Sequence, residues 1–163
     1  MHRSLPSSLV AAAFAAAAGG ASAAPAVPLF VQGLIAQRAG DLAYVPTRLP
    51  AGYRYGRFQV ARGPTEVVLR FVRARPGGVR PTWFVVRVRR QGAGPGSCAA
   101  GRQKTLQMGG NRVYWDGEAA WRCQPYPGGV ARITVTGPAV QPTAFAADVA
   151  YARVAASVRR IER

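Results

Sequence analysis

Histidine, lysine and carboxylate are what this chain has least of. Its 163 residues include one histidine, one lysine (Lys104) and six acidic residues, against 21 arginines. The histidine is His2, and it precedes a small-residue run, Leu9 to Ala23, that ends in Ala21-Ser22-Ala23. Cleavage after that run would remove His2 and leave no imidazole for proton transfer or metal ligation. Ser97 and Ser157 would then be the remaining serines, and the one conceivable dyad, Ser97 with Lys104, needs a buried, deprotonated lysine. Asp116 and Glu118 are the only acidic residues close in sequence, too few oxygens for a hard metal and set among arginines. The glycine-rich stretches Gly92–Gly96 and Gly109–Gly110 lack the Gly-Lys-Ser/Thr ending or the dinucleotide spacing of a phosphate cradle. No catalytic residue, metal or cofactor is expected, and the chain is not expected to be an enzyme.

Residues 1–23 have the charged start, short apolar middle and small-residue exit of a secretory signal peptide. The run is too short to span a bilayer as a mature helix, and no later apolar stretch is long enough to do so. A soluble mature protein beginning at Ala24 is the expectation, located in the periplasm, at the cell wall or in the medium. About 140 residues remain, one ordinary domain.

The formal charge of the whole chain is +16, and about +15 once Arg3 leaves with the signal. Such a field attracts polyanions, which outside a bacterial cell include teichoic acids, lipopolysaccharide, anionic headgroups and released nucleic acid. The same arginine excess, alongside abundant Ala, Gly, Pro and Val, is also how a GC-rich genome biases codons. Specific nucleic-acid recognition is not expected.

Cys98 and Cys123 are the only cysteines. An even count in an exported chain predicts a disulfide, because redox or metal roles would need Cys-x-x-Cys spacing or further ligands. Closing a loop of about 26 residues stabilises a fold by roughly 3 kcal/mol in the chain-entropy account.

Along the chain, 24–28 reads as a flexible leader. Residues 29–39 read as a short helix closing at Gly40, with Phe30, Leu34 and Arg38 on one face and Gly33 weakening it. Hydrophobic period then changes to two. Strands are expected over 53–61, 66–75, 82–90, 104–108, 112–115, 118–123 and 130–136. The proline- and glycine-rich 75–81 joins the second and third as a hairpin, Asp116-Gly117 forms a two-residue turn, and 91–102 is an irregular loop held by Cys98. A closing helix is expected over about 143–161, with Phe145, Val149 and Ala152 in one apolar row and Tyr151, Val154, Val158 and Ile161 in another. The fold class is α+β, a mostly antiparallel sheet of about six strands with the C-terminal helix on one face and a short N-terminal helix. Residues 1–23 form the signal, 24–43 the leader and short helix, and 44–163 a single α+β domain.

One feature of the 66–90 hairpin goes beyond core building. With Leu69, Phe71, Phe84, Val86 and Val88 facing the helix, the other side carries Val68, Arg70, Val72, Trp83, Val85, Arg87 and Arg89. A face meant only for water seldom alternates Trp and Val with Arg. It is either covered by the N-terminal helix or a loop, or it binds something apolar and anionic. Arg70, Trp83, Arg87 and Arg89 are the candidate ligand-binding residues.

The segment Tyr44-Val45-Pro46-Thr47-Arg48-Leu49-Pro50-Ala51-Gly52-Tyr53 resembles the Pro-x-x-Leu-Pro-x-Gly-Tyr entry motif of an uncharacterised bacterial extracytoplasmic domain. That domain occurs in secreted proteins, lipoproteins and the outer parts of some anti-sigma factors. Gly110-Asn111-Arg112-Val113-Tyr114 resembles its Gly-x-x-Val/Ala-Tyr strand, Ala120-Trp121 its small-residue-plus-Trp strand, and 149–158 its closing helix. The resemblance spans 44–161 and implies the fold rather than an activity, since the family has no catalytic residues to carry over. This chain lacks the lipidated cysteine and membrane span of some members, which argues against an anti-sigma sensor, and its cysteine pair is not part of the pattern. Two functions follow as expectations. The first is an envelope-associated binding module for an anionic or amphiphilic component, such as a lipid headgroup or cell-wall polyanion. The alternative is a protein–protein interaction domain with a basic docking surface.

Overall fold

The computed structural model describes residues 24–61, 63, 65–73, 82–92, 98, 104–137 and 144–162, with 144–150 described by backbone alone. The signal, most of 91–102, the 75–81 turn, and the side chains of Phe145 and Val149 lie outside the described residues.

Helix α1 spans Leu29–Ala39 and runs into a 3-10 turn, Gly40–Leu42. Two of its i, i+4 rows open on large apolar pairs, Phe30 with Leu34 and Val31 with Ile35, so composition alone does not choose the inner one. Val31, Ile35 and Ala39 are buried, whereas Leu29 and Phe30 are 73% and 74% exposed. The row Phe30, Leu34 and Arg38 does share a face, but it is the outward one. The stretch 24–28 is not a free leader either: Val27 is fully buried, and its carbonyl accepts from Gln32 Nε2 at 2.8 Å.

Strands β1 (Tyr44–Pro46), β2 (Arg54–Val60), β3 (Glu66–Arg73), β4 (Thr82–Gln91), β5 (Lys104–Met108), β6 (Asn111–Trp115), β7 (Ala119–Tyr126) and β8 (Gly129–Thr136) follow. Helix α2 (Ala144–Ser157) and a ninth strand, β9 (Val158–Arg160), end the chain. Seven strands form one antiparallel sheet in the order β2-β3-β4-β8-β7-β6-β5, and β1 pairs β9 in a separate two-stranded ribbon. The α+β expectation holds, with seven strands in the main sheet rather than six.

Between β1 and β2, Tyr53 N–H donates to Pro50 O at 3.2 Å across Ala51 and Gly52, and Gly52 has φ +79°. This is a turn that requires glycine at its third position, which accounts physically for the Leu-Pro-x-Gly-Tyr pattern. The β6–β7 turn is centred on Gly117 and Glu118 rather than on Asp116 and Gly117. Asp116 Oδ1 accepts from the backbone N–H groups of Glu118 and Ala119, at 3.0 and 2.9 Å, so the carboxylate is spent on the turn.

The closing helix is shorter than its apolar period suggests. Val154, Val158 and Ile161 fit helical spacing, yet the helix stops at Ser157. There the Ser157 carbonyl accepts from both the N–H and the Oγ1 of Thr47, at 3.3 and 3.0 Å, and Arg48 N–H donates to Ser157 Oγ at 3.3 Å. The chain then pairs with β1, Tyr44 opposite Arg160 and Pro46 opposite Val158. Distant strand pairing supplies the backbone partners that a continued helix would have supplied locally.

The core lies between one face of the sheet and the two helices. Alternation along β3 and β4 buries Val67, Leu69, Phe71, Phe84, Val86 and Val88, joined by Ile133 and Val135 of β8 and by Ile35, Leu42, Tyr151 and Val154. Phe84 is the hub: its ring stacks on Phe71 (centroids 4.7 Å) and meets Tyr53 edge-on at 4.9 Å.

Candidate functional site

Because α1 and α2 both pack on the core side, neither covers the opposite face of the sheet. Of the alternatives for that face, coverage by the N-terminal helix is thus not met, and most of the loop residues lie outside the described ones. Strand register brings the four candidate residues together there. Arg70 lies opposite Val85, Arg87 opposite Val68, Arg89 opposite Glu66, and Trp83 opposite Val72. Arg54 and Arg57 of β2 extend the same side through their pairing with Val72 and Arg70, and Arg132 of β8 extends it through Arg89. Valines 68, 72 and 85 are half-buried between these arginines.

One carboxylate interrupts the positive surface. Glu66 Oε1 lies 3.6 Å from Arg87 Nε, an exposed pair that contributes little to stability and leaves the face strongly cationic. The Nε atoms of Arg70 and Arg132 are buried without a hydrogen-bond partner among the described residues.

Among the described residues, Trp83 is the one large apolar group exposed on this side, at 39%. Its ring is seated on Gly56: a Cβ at that position would come within 2.8 Å of Trp83 Cζ3 and 3.0 Å of the Arg70 carbonyl oxygen. Gly56 also stands where the β2–β3 register shifts, so the bulge and the missing side chain together make the platform. A Gly56→Val variant should lose about 1–3 kcal/mol through overpacking. Gly33→Ala, where nothing lies within 4 Å, should instead stabilise α1 by about 0.5–1 kcal/mol. Thermal melts of the two variants check the opposite signs.

Farther along the face, the part around Trp121 is closed. Trp121 points to this side from β7, is 3% exposed, and donates from Nε1 to the Cys98 carbonyl at 3.1 Å. Arg132 lies over its indole at 4.5 Å, and Tyr114 stacks beside it at 6.0 Å. Cys98 is fully buried and is disulfide-bonded to Cys123 of β7, as expected. Arg70, Trp83, Arg87 and Arg89 stand on the β2-β3-β4 part of the face, away from that closed patch.

Ser97 lies outside the described residues, and Lys104 holds its ammonium over the Trp115 ring at 5.3 Å. Arg122, by contrast, was not singled out by sequence reasoning, yet it is a charged residue only 5% exposed. The signal was available in its parity: Ala120, Arg122 and Gln124 take the core-facing positions of β7, where a guanidinium is out of place.

No family model matches this chain, and no curated protein matches it. Among solved structures, it is similar to the crystal structure of MucB in complex with MucA(peri), with a TM-score of 0.38 and 18% identity over 74% of this chain and 37% of that one. The chain thus spans little more than a third of the MucB chain. Among the described residues, no helix is long and apolar enough to cross a membrane.

Proposed function

We propose that this protein is an extracytoplasmic binding module that docks through the open β2-β3-β4 face on an acidic protein surface. The signal-like leader and the disulfide support the compartment. The observation that carries the docking is the face itself: broad, free of helices, and built from arginines around a seated, partly exposed tryptophan. Arg and Trp are the side chains that dominate binding energy at protein interfaces, and a cationic surface accelerates encounter with an acidic partner.

A second reading has its own observation. Trp83 among half-buried Val68, Val72 and Val85 is also a surface on which an anionic amphiphile could lie, headgroup to arginine and chain to valine.

Binding of polyglutamate and of vesicles containing phosphatidylglycerol separates the two. Arg87→Glu with Arg89→Glu should weaken polyglutamate binding at least tenfold. Arg159→Glu with Arg160→Glu, the same charge change across the sheet, should weaken it far less, and all binding should fall with salt. Equal losses from both pairs would sink the docking face and leave only a general field. Vesicle binding that exceeds polyglutamate binding and is lost in Trp83→Ala would favour the amphiphile.

A further inference from the structure

On the other side of the sheet, an open cavity of about 930 Å3 lies between the last turn of α2, the β1–β9 ribbon, β7 and the β5–β6 turn. Five arginines line it, Arg48, Arg122, Arg153, Arg159 and Arg160, together with one carboxylate, Glu162. Arg160 is already engaged, its Nη2 2.5 Å from Asp41 Oδ1. Among the described residues, no carboxylate is within ion-pair distance of the other four.

Arg122 is the residue that needs explaining. Its Nη1 donates to Asn111 Oδ1 at 2.5 Å and its Nη2 to the Val158 carbonyl, which ties β7 to β6 and to β9. Its Nε has no partner among the described residues, and the same is true of the hydroxyl of Tyr126, which lines the same cavity from the same strand. Burial pushes the Arg122 guanidinium below its ordinary pKa; nearby Tyr44 opposes that shift and Arg159 adds to it. A buried cation without a counter-ion is unfavourable, and an anion delivered from solution removes the penalty.

We propose that this cavity is a binding site for a small organic phosphate, its phosphate held by the arginines around Arg122 and by the Tyr126 hydroxyl. Several unpaired guanidiniums with a single carboxylate suit a dianion better than a lone carboxylate, and the planar guanidinium matches phosphate oxygens in pairs. The volume far exceeds that of a phosphate group and lies in the range of small-molecule sites. Met108, Pro125 and Ala156 supply apolar wall for the remainder. This site is independent of the docking face, which lies across the sheet.

Calorimetric titration of the mature chain with pyrophosphate and with glycerol 3-phosphate, at constant ionic strength, tests the proposal. Saturable binding and a raised melting temperature are expected. Arg153→Gln with Arg159→Gln should weaken binding at least tenfold, as should Tyr126→Phe, which removes one hydroxyl and keeps the ring should the arginine variant fold poorly. Arg38→Gln with Arg90→Gln, removing equal charge away from the cavity, should leave binding within twofold. Absence of saturable binding by both probes, or equal losses from both arginine pairs, would overturn the site. Vesicles containing phosphatidic acid form the last arm: capture of vesicles that is lost in Arg153→Gln with Arg159→Gln assigns a lipid headgroup, and binding of the soluble ester alone assigns a soluble phosphate.

Discussion

Phe84→Ala should cost the fold about 3–5 kcal/mol and lower the melting temperature by roughly 10–15 °C. Phe84 is fully buried in the middle of β4 and contacts rings from three other segments: Phe71 of β3, Tyr53 at the entry to β2, and Tyr151 of α2. Truncation removes apolar area, two aromatic pairs closer than 5 Å, and the wall between sheet and helix. Collapse to fill the void is hindered because every neighbour is anchored on a different element. Phe30→Ala, on the 74% exposed face of α1, should change stability by less than about 0.5 kcal/mol. Comparable losses at Phe84 and Phe30 in denaturant unfolding would show that the core does not lie where β3 and β4 place it.

The alternation that buries Phe84 is visible in the sequence because the face of a strand is a local property of period two. That is why the hairpin faces, the positions of most strands and the grouping of Arg70, Trp83, Arg87 and Arg89 were legible. Other features turn on pairings that local patterns do not contain. Val154, Val158 and Ile161 are spaced for a helix, but the β1–β9 ribbon depends on Tyr44–Pro46, more than a hundred residues away. Helix α1 is apolar on two rows, so only tertiary packing decides that Val31 and Ile35 go inward while Phe30 goes outward.

The same distinction governs the sites. The grouping of Arg70, Trp83, Arg87 and Arg89 could be anticipated because they belong to one hairpin, whereas whether their face is covered depends on tertiary packing. The cavity could not be anticipated, because Arg48, Arg122, Arg153 and Arg159 come from four separate parts of the chain and meet only after α2 stops and β9 turns back on β1. Arg122 holds that arrangement by linking Asn111 to the Val158 carbonyl, so it joins the termination of the helix to the floor of the cavity.

Replacing both Cys98 and Cys123 by serine should lower stability by about 3 kcal/mol, close to 10 °C in melting temperature, mainly through the unfolded chain. The bridge closes a sequence separation of 25 residues, and without it the unfolded ensemble regains the freedom of that loop. There is a local component as well. The Cys98 carbonyl accepts from Trp121 Nε1, and Trp121 is a buried ring held between Arg132 and Tyr114. Freeing Cys98 exposes that indole and loosens the closed part of the outer face. Trp121 fluorescence should therefore shift to longer wavelength in the double variant even under native conditions, whereas a purely entropic bridge would lower the melting temperature and leave the native spectrum unchanged. Arg70, Trp83, Arg87 and Arg89 stand on strands paired independently of the bridge, and so polyglutamate binding should survive at temperatures where the variant is still folded. Loss of that binding in the folded variant would mean that the cystine-bound segment belongs to the docking surface and not only to its closed edge.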